Sequence, residues 1–204
     1  MKKIILVGMG GHSKVVKDII NLQKEFKVIG YLDDKIQTKK NVDGIIYDNI
    51  KSYRNYEDEH FCITIGNNQT REEIFKTLNL PLSKYPTLVH PTAIIGSNVE
   101  IGDGTVIMAN VVVNADTKIG SHCIINTTAS VGHDVIIDDY VHISPNSTLT
   151  GGVKVGSKSQ IGASATIIPT VNIGRNTIVG AGATVVNNIG DQQVVIGTPA
   201  KPKE

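Results

Sequence analysis

The chain has only two cysteines in 204 residues, so no disulfide framework can hold it together, and a reducing compartment suits it. Charge is nearly balanced at +1, which excludes a general electrostatic drive toward nucleic acid or a membrane surface. No long apolar run opens the sequence. Residues 1–11 begin with two lysines flanking nothing longer than a strand, too brief for a signal peptide and better suited to a first buried strand. The expectation is a cytoplasmic protein with neither nucleic acid nor membrane as partner. A defensible Ser-His-Asp or Cys-His grouping is also missing, which argues against a covalent acyl-enzyme. Finally, the repeat that dominates the second half is absent before position 89, so two domains are expected, over 1–85 and 86–204.

What is present is a period of six. From 89 to 185 every sixth residue is a branched aliphatic, beginning Val89, Ile95, Ile101, Ile107, Val113, Ile119 and Ile125 and continuing without a gap to Val185. Two residues before each stands a small or β-branched residue, such as Ala93, Thr105, Cys123 or Ala183, and Gly often follows the aliphatic, as at Gly96, Gly102, Gly120 and Gly162. Six fits neither the 3.6 of a helix nor the 2 of a strand, so it belongs to a larger unit. The spacing predicts a parallel β-helix of triangular coils, three hexads to an 18-residue coil, with the aliphatics and Cys123 pointing inward and Gly serving turns that need positive φ. A repeat by itself specifies a solenoid and no chemistry. Function must come from the departures.

Residues 1–85 alternate strand and helix patterns. A strand at 3–7 runs into the loop Gly8, Met9, Gly10, Gly11, followed by helical spacing over 12–24; a strand at 26–32 ends in Asp33 and Asp34; short strands follow at 45–47 and 60–65, and a helix at 70–80. This is a Rossmann-like α/β pattern whose glycine turn, acids and Gly66 turn converge on one sheet edge. Ser13 occupies the place of the third Gly in G-x-G-x-x-G, which favours a nucleoside diphosphate over a full dinucleotide. Taken singly, each of these features is also ordinary strand-turn-helix geometry.

The motifs G-M-G-G-H at 8–12, L-D-D at 32–34, I-G-N-N at 65–68 with Arg71, G-H-D at 132–134, H-I-S-P at 142–145 and G-T-P-A-K at 197–201 run along the whole chain. Together they resemble the NeuD/PglD-type sugar acyltransferases, hexapeptide-repeat enzymes that join a nucleotide-sugar-binding α/β domain to a left-handed β-helix. The handedness rests on that resemblance. It implies acetyl-CoA as co-substrate without a metal, His133 as general base, Asp134 as the acid raising its basicity, and His142 as the contact to the acetyl thioester. Gly8, Gly10, Gly11, His12, Asp33, Asp34 and Gly66 match the positions that hold the UDP-sugar. The family position beside the base is often Glu; here it is Asp134.

The chemistry of the residues agrees. Acetylating an amine requires loss of a proton, and His is the side chain that titrates nearest neutrality. Along the column, 161–166 and 179–184 are near copies one coil apart, so Ala163 and Ala181 stack at one corner with room for a pantetheine arm; Gly151 is expected with them among the CoA contacts, and 197–201 over the nucleotide end of CoA with Lys201 near phosphate. His133 and His142 are half a coil apart, so a site using both needs two chains, and a homotrimer with shared sites is expected. The expected function is acetyl-CoA-dependent N-acetylation of a UDP-4-amino-sugar for surface-glycan synthesis. Sugar O-acetylation, as on sialic acid, and a non-catalytic nucleotide-sugar scaffold stand as alternatives. So does zinc chemistry on His122, His133 and His142, though it gives the α/β half no purpose.

Overall fold

The computed structural model describes residues 1–203. The first half is a five-stranded sheet. Its strands are β1 (Lys2–Val7), β2 (Phe26–Leu32), β3 (Lys40–Val42), β4 (Ile45–Asp48) and β5 (His60–Ile63), in the order β3-β4-β2-β1-β5. Only the β3–β4 pair is antiparallel. Helix α1 (Gly11–Gln23) joins β1 to β2, and α2 (Asn68–Leu78) follows β5. The sequence missed β3, a short exposed strand without apolar alternation, although Asp43 and Gly44, both at positive φ, are the Asp-Gly signal of a tight hairpin. Helix α2 starts two residues earlier than its apolar spacing suggests, because Asn67 accepts the Thr70 N–H at 2.9 Å and caps it there. The last strand ends at Ile63 rather than 65.

From Leu88 onward the chain winds as two-residue strands separated by turns. Through Thr166–Ile167 each strand pairs in parallel with the strand 18 residues later, as Val112 and Val113 do with Ser130 and Val131, so the coils stack into a column with three sheet faces. The inward aliphatics from Ile107 to Val185 and the small residues two places before them are buried, Cys123 included. Each such Ile or Val contributes roughly 1.5–3 kcal/mol of burial. At the other end Lys201–Pro202 pairs antiparallel with Val194–Ile196 and covers the last coil.

One expectation is overturned. The Gly after each aliphatic does not sit at positive φ; that conformation falls two residues later, at Asn98, Asn110, Asp116, Asp134, Asn146 and their equivalents. The Gly is needed because neighbouring coils nearly touch: a Cβ on Gly162 would lie 2.5 Å from the Ala181 nitrogen, and on Gly102 2.6 Å from Gly120.

The two halves share a core. One buried cluster runs from Ile4, Leu6, Val16 and Ile19 through Val106 and Ile124 into the column. Val106 and Ile124 precede the inward Ile107 and Ile125, so they face outward, and the α/β domain covers them. Call this the first face. Counting onward along the chain, the second face carries Val131 and the third Ile137.

Candidate active site

The glycine loop, the end of β2 and the loop after β5 enclose a cavity of about 600 Å³ lined by Gly8, Gly10, His12, Asp33, Asp34 and Gly66, among others. Gly8 is at φ +99, and a Cβ there would strike Ile65 at 2.8 Å, so the turn itself requires glycine. Gly10, Gly11 and Gly66 differ: a Cβ on any of them would meet nothing within 4 Å. Their missing side chains leave open space at the start of α1, where no side-chain cap and no acidic first-turn residue compete for the free N–H groups. Ser13 is buried and donates to the Gly10 carbonyl at 2.7 Å, closing the loop where the third Gly would stand.

Asp33 and Asp34, adjacent in sequence, behave differently. Asp33 accepts the Met9 N–H at 2.8 Å and the Lys35 N–H at 3.0 Å, so its carboxylate ties the glycine loop to β2. Burial would raise its pKa, but those two backbone donors, together with the Asp34 side chain and the Lys35 charge, outweigh it and hold the carboxyl below its ordinary value. Asp34 is exposed on the cavity rim.

His12 and His142 come together where the α/β domain meets the first face. Burial, chiefly, pushes both down to about 4; His142 and the Arg71 charge add to the shift on His12, and Arg71 adds to that on His142 against a contact to the Gly66 backbone. Both are therefore neutral at neutral pH. Asn126 Nδ2 lies 3.1 Å from His142 Nε2, and Asn126 Oδ1 is committed to the Thr127 N–H, so the amide donates and the His142 proton sits on Nδ1.

His133 stands elsewhere, at the corner between the second and third faces, opposite the face the α/β domain covers. Its side chain is 69% exposed, with Nδ1 2.6 Å from Asp134 Oδ2. Asp134 is at φ 57, a left-handed corner that Asp accepts more readily than Glu, which accounts for the shorter acid. Gly151 lies one coil further along: a Cβ on it would be 2.7 Å from His133 Nε2 and 2.8 Å from Cε1. The ring thus occupies the space that Gly151 leaves. Ala163 and Ala181 stack at the corner between the first and second faces, where the Gly182 N–H bonds the Ala163 carbonyl. Cys62 and Cys123 are buried with thiols pushed up to about 12 by burial, so neither is a nucleophile.

One chain brings His12, His142 and the glycine loop together, and His133, Asp134 and Gly151 together, but not the two groups with each other. Among the described residues no three His, Cys, Asp or Glu side chains converge as metal ligands; His122 is buried beside Tyr140, apart from His133 and His142. Sequence reasoning quoted Arg71 as part of a motif and gave it no role. Its guanidinium is buried between the two halves.

Residues 3–78 match the family described as PglD N-terminal domain, and residues 116–151 match bacterial transferase hexapeptide (six repeats). A point mutant of perosamine N-acetyltransferase from Caulobacter crescentus, in complex with CoA and GDP-perosamine, is 33% identical over 100% of this chain and 98% of that one, with a TM-score of 0.90. The chain belongs to the NeuD/PglD-type hexapeptide-repeat sugar-nucleotide N-acetyltransferases. The acetyltransferase domain of PglB from Neisseria gonorrhoeae, in complex with acetyl coenzyme A, is another structure of this kind: 33% identity, 99% of each chain, TM-score 0.89. UDP-N-acetylbacillosamine N-acetyltransferase from Bacillus subtilis is 41% identical over 113 residues, a match spanning 53% of this chain and 52% of that one. In this acetyltransferase family member the departures from the hexad, His133 and His142, are the candidate site residues on the column.

Proposed function

We propose that the protein transfers the acetyl group of acetyl-CoA to the amino group of a sugar carried on a nucleoside diphosphate. The observation that carries this reading is the exposed His133 held by Asp134 through Nδ1, which leaves Nε2 free as a base beside the side-chain-free Gly151. The sugar amine attacks the thioester carbonyl while Nε2 takes its proton; the tetrahedral adduct expels the CoA thiolate, and the imidazolium returns the proton to sulfur. Asp134 stabilises the transient imidazolium. The open N-terminus of α1 receives the diphosphate, Asp34 meets the nucleoside, and His142 meets the thioester.

We place the first acceptor choice on a UDP-4-amino-sugar, in keeping with the Bacillus relative, and a GDP-linked amino-sugar second, in keeping with the Caulobacter complex. The reaction is assigned to the cytoplasm, where reduced thiols suit the two free cysteines. The column's geometry also supports a homotrimer with shared sites. One face is about six residues, roughly 15–20 Å, so the glycine-loop cavity and His133 of one chain are too far apart to meet one sugar. A neighbouring column must present its His133. Mixing two inactive variants, His133→Ala and Ala163→Trp, should restore part of the turnover; no recovery from demonstrably mixed oligomers overturns the shared site.

The deciding experiment follows thiol release from acetyl-CoA with a panel of UDP- and GDP-linked amino-sugars and with sialic acid. Turnover confined to nucleotide-linked amines is expected. Turnover with sialic acid alone supports O-acetylation, and nucleotide binding without any turnover supports the scaffold.

A further inference from the structure

Arg71 is 1% exposed, and all five of its N–H donors are engaged without a carboxylate among the acceptors. Nε donates to the His122 carbonyl at 2.7 Å; Nη1 donates to Ile65 at 2.9 Å and Gly66 at 3.2 Å; Nη2 donates to Tyr140 at 2.9 Å and to Asn68 Oδ1 at 2.8 Å. Asn68 in turn donates from Nδ2 to the carbonyls of Lys158 and Ser159, both at 3.0 Å. His122, Tyr140 and Lys158 are the left-handed corner residues of three successive coils. A single Arg–Asn pair from the first turn of α2 therefore grips three stacked corners of the column. The same guanidinium holds the carbonyls of Ile65 and Gly66, which form a wall of the cavity.

An isolated buried cation is costly, and its burial burdens the histidines around it, so a purely structural tie would be served better by apolar packing. What the planar fork supplies is direction: five donors fixed in one plane set the cavity wall and the coil stack at one distance and angle. We infer that Arg71, oriented by Asn68, is a positioning residue that fixes where the nucleotide-sugar pocket stands on the β-helix, and hence where the acceptor amine is delivered, without touching either substrate. This rests on the acetyltransfer reading above. The pocket lies in the α/β domain and, in the shared site, the base is presented by a neighbouring column packed against this one, so a small rotation of the joint displaces the amine from that base while leaving each binding surface intact. A misplacement of about 1 Å is worth on the order of 10²-fold in rate.

The test is Arg71→Lys, which keeps the charge but loses the fork. The expected result is a fall in kcat of about 10²-fold, with Kd for CoA and for whichever of UDP or GDP the wild type binds changed less than about threefold. Wild-type kcat in Arg71→Lys overturns the inference. So does a loss of nucleotide binding that accounts for the rate, since Arg71 would then serve the pocket alone. Should Arg71→Lys fail to fold, Asn68→Ala gives the answer: it removes the bonds to Lys158 and Ser159 but leaves Arg71 on the cavity wall. It should lower kcat about tenfold with both Kd values unchanged, and wild-type turnover there overturns the inference equally. If the wild type itself turns over no nucleotide-linked amine, it is the proposed reaction that fails, an outcome separate from these.

Discussion

The column and the α/β domain solve the same problem of burying a sheet in different ways. In the column each coil repeats one rule, so its core residues are interchangeable in kind, and a residue that breaks the rule stands out: His133 fills a corner that the coils on either side give to Ala115 and Gly151. The α/β domain has no repeat. Its site is assembled from loop ends that are distant in sequence, as when Asp33 ties down Met9 at 2.8 Å. The lesson is that chemistry is easiest to find where the scaffold is monotonous, and recognition is hardest to find where each loop is unique. On the proposed function this becomes a division of labour, with catalysis on the column and nucleotide recognition on the sheet.

The joint between the halves is the first place to break this comparison. His12, His122 and His142 lie at or near it, and burial, first of all, pushes each down to about 4, with Arg71 contributing in every case. Each folded-state value lies below that of the unfolded chain, so between about pH 6.5 and 4 the unfolded state binds more protons. Stability is complete above that window and falls as pH falls through it. A shift of this size corresponds to roughly 3 kcal/mol per histidine, several kcal/mol in all. The midpoint of thermal unfolding should drop steeply between pH 7 and pH 5, and His122→Phe, which keeps the packing against Phe75, Tyr85 and Tyr140, should flatten the slope. A midpoint independent of pH over that range would contradict the buried neutral histidines.

The second prediction tests the division of labour itself. His133→Ala should lower kcat by about 10²–10⁴, with nucleotide and CoA binding close to wild type. Asp33→Ala should do the opposite, raising KM for the sugar nucleotide by about tenfold through the freed glycine loop, on the order of 1.4 kcal/mol, with little change in KM for acetyl-CoA. Steady-state kinetics with each substrate varied reads both. Equal effects of the two substitutions on the two substrates would mean that the halves do not divide recognition from chemistry.

Legibility followed the same division. The period of six gave every inward position from Ile107 to Val185, because an aliphatic facing a closed column has no alternative environment. It misassigned the glycines, since the contact that excludes a Cβ on Gly162 comes from Ala181, a whole coil away, and leaves no local trace. In the α/β domain every strand but the exposed Lys40–Val42 was readable, whereas the bond by which Asp33 holds the Met9 N–H and the burial of Arg71 were not. An acid after a strand reads as a ligand whether it meets a ribose or a backbone N–H, and an Arg on a helix reads as solvated unless its five acceptors, drawn from three separate segments, are known.

On the column, an effect smaller than loss of the imidazole is expected at Gly151. The sequence counts it as a CoA contact, and in the structure the His133 ring occupies the space its missing side chain leaves. A Cβ there would lie 2.7 Å from His133 Nε2, 2.8 Å from Cε1 and 3.3 Å from Cδ2, and the three nearest atoms all belong to that ring. Its backbone is not at positive φ, so Ala is accepted without strain in the chain. Because His133 is exposed, the ring can swing outward rather than force the coils apart, and the fold is kept. What is lost is the alignment of Nε2, together with the 2.6 Å contact between Nδ1 and Asp134. Gly151→Ala should therefore lower kcat by about 10- to 100-fold, less than removal of the imidazole. Its melting temperature should be close to wild type and its Kd for CoA nearly unchanged. The control is Gly151→Ala combined with His133→Ala: with no ring left to displace, the added methyl should cost nothing further. A weaker Kd for CoA at normal kcat in the single variant would show that Gly151 serves the cofactor and not the base.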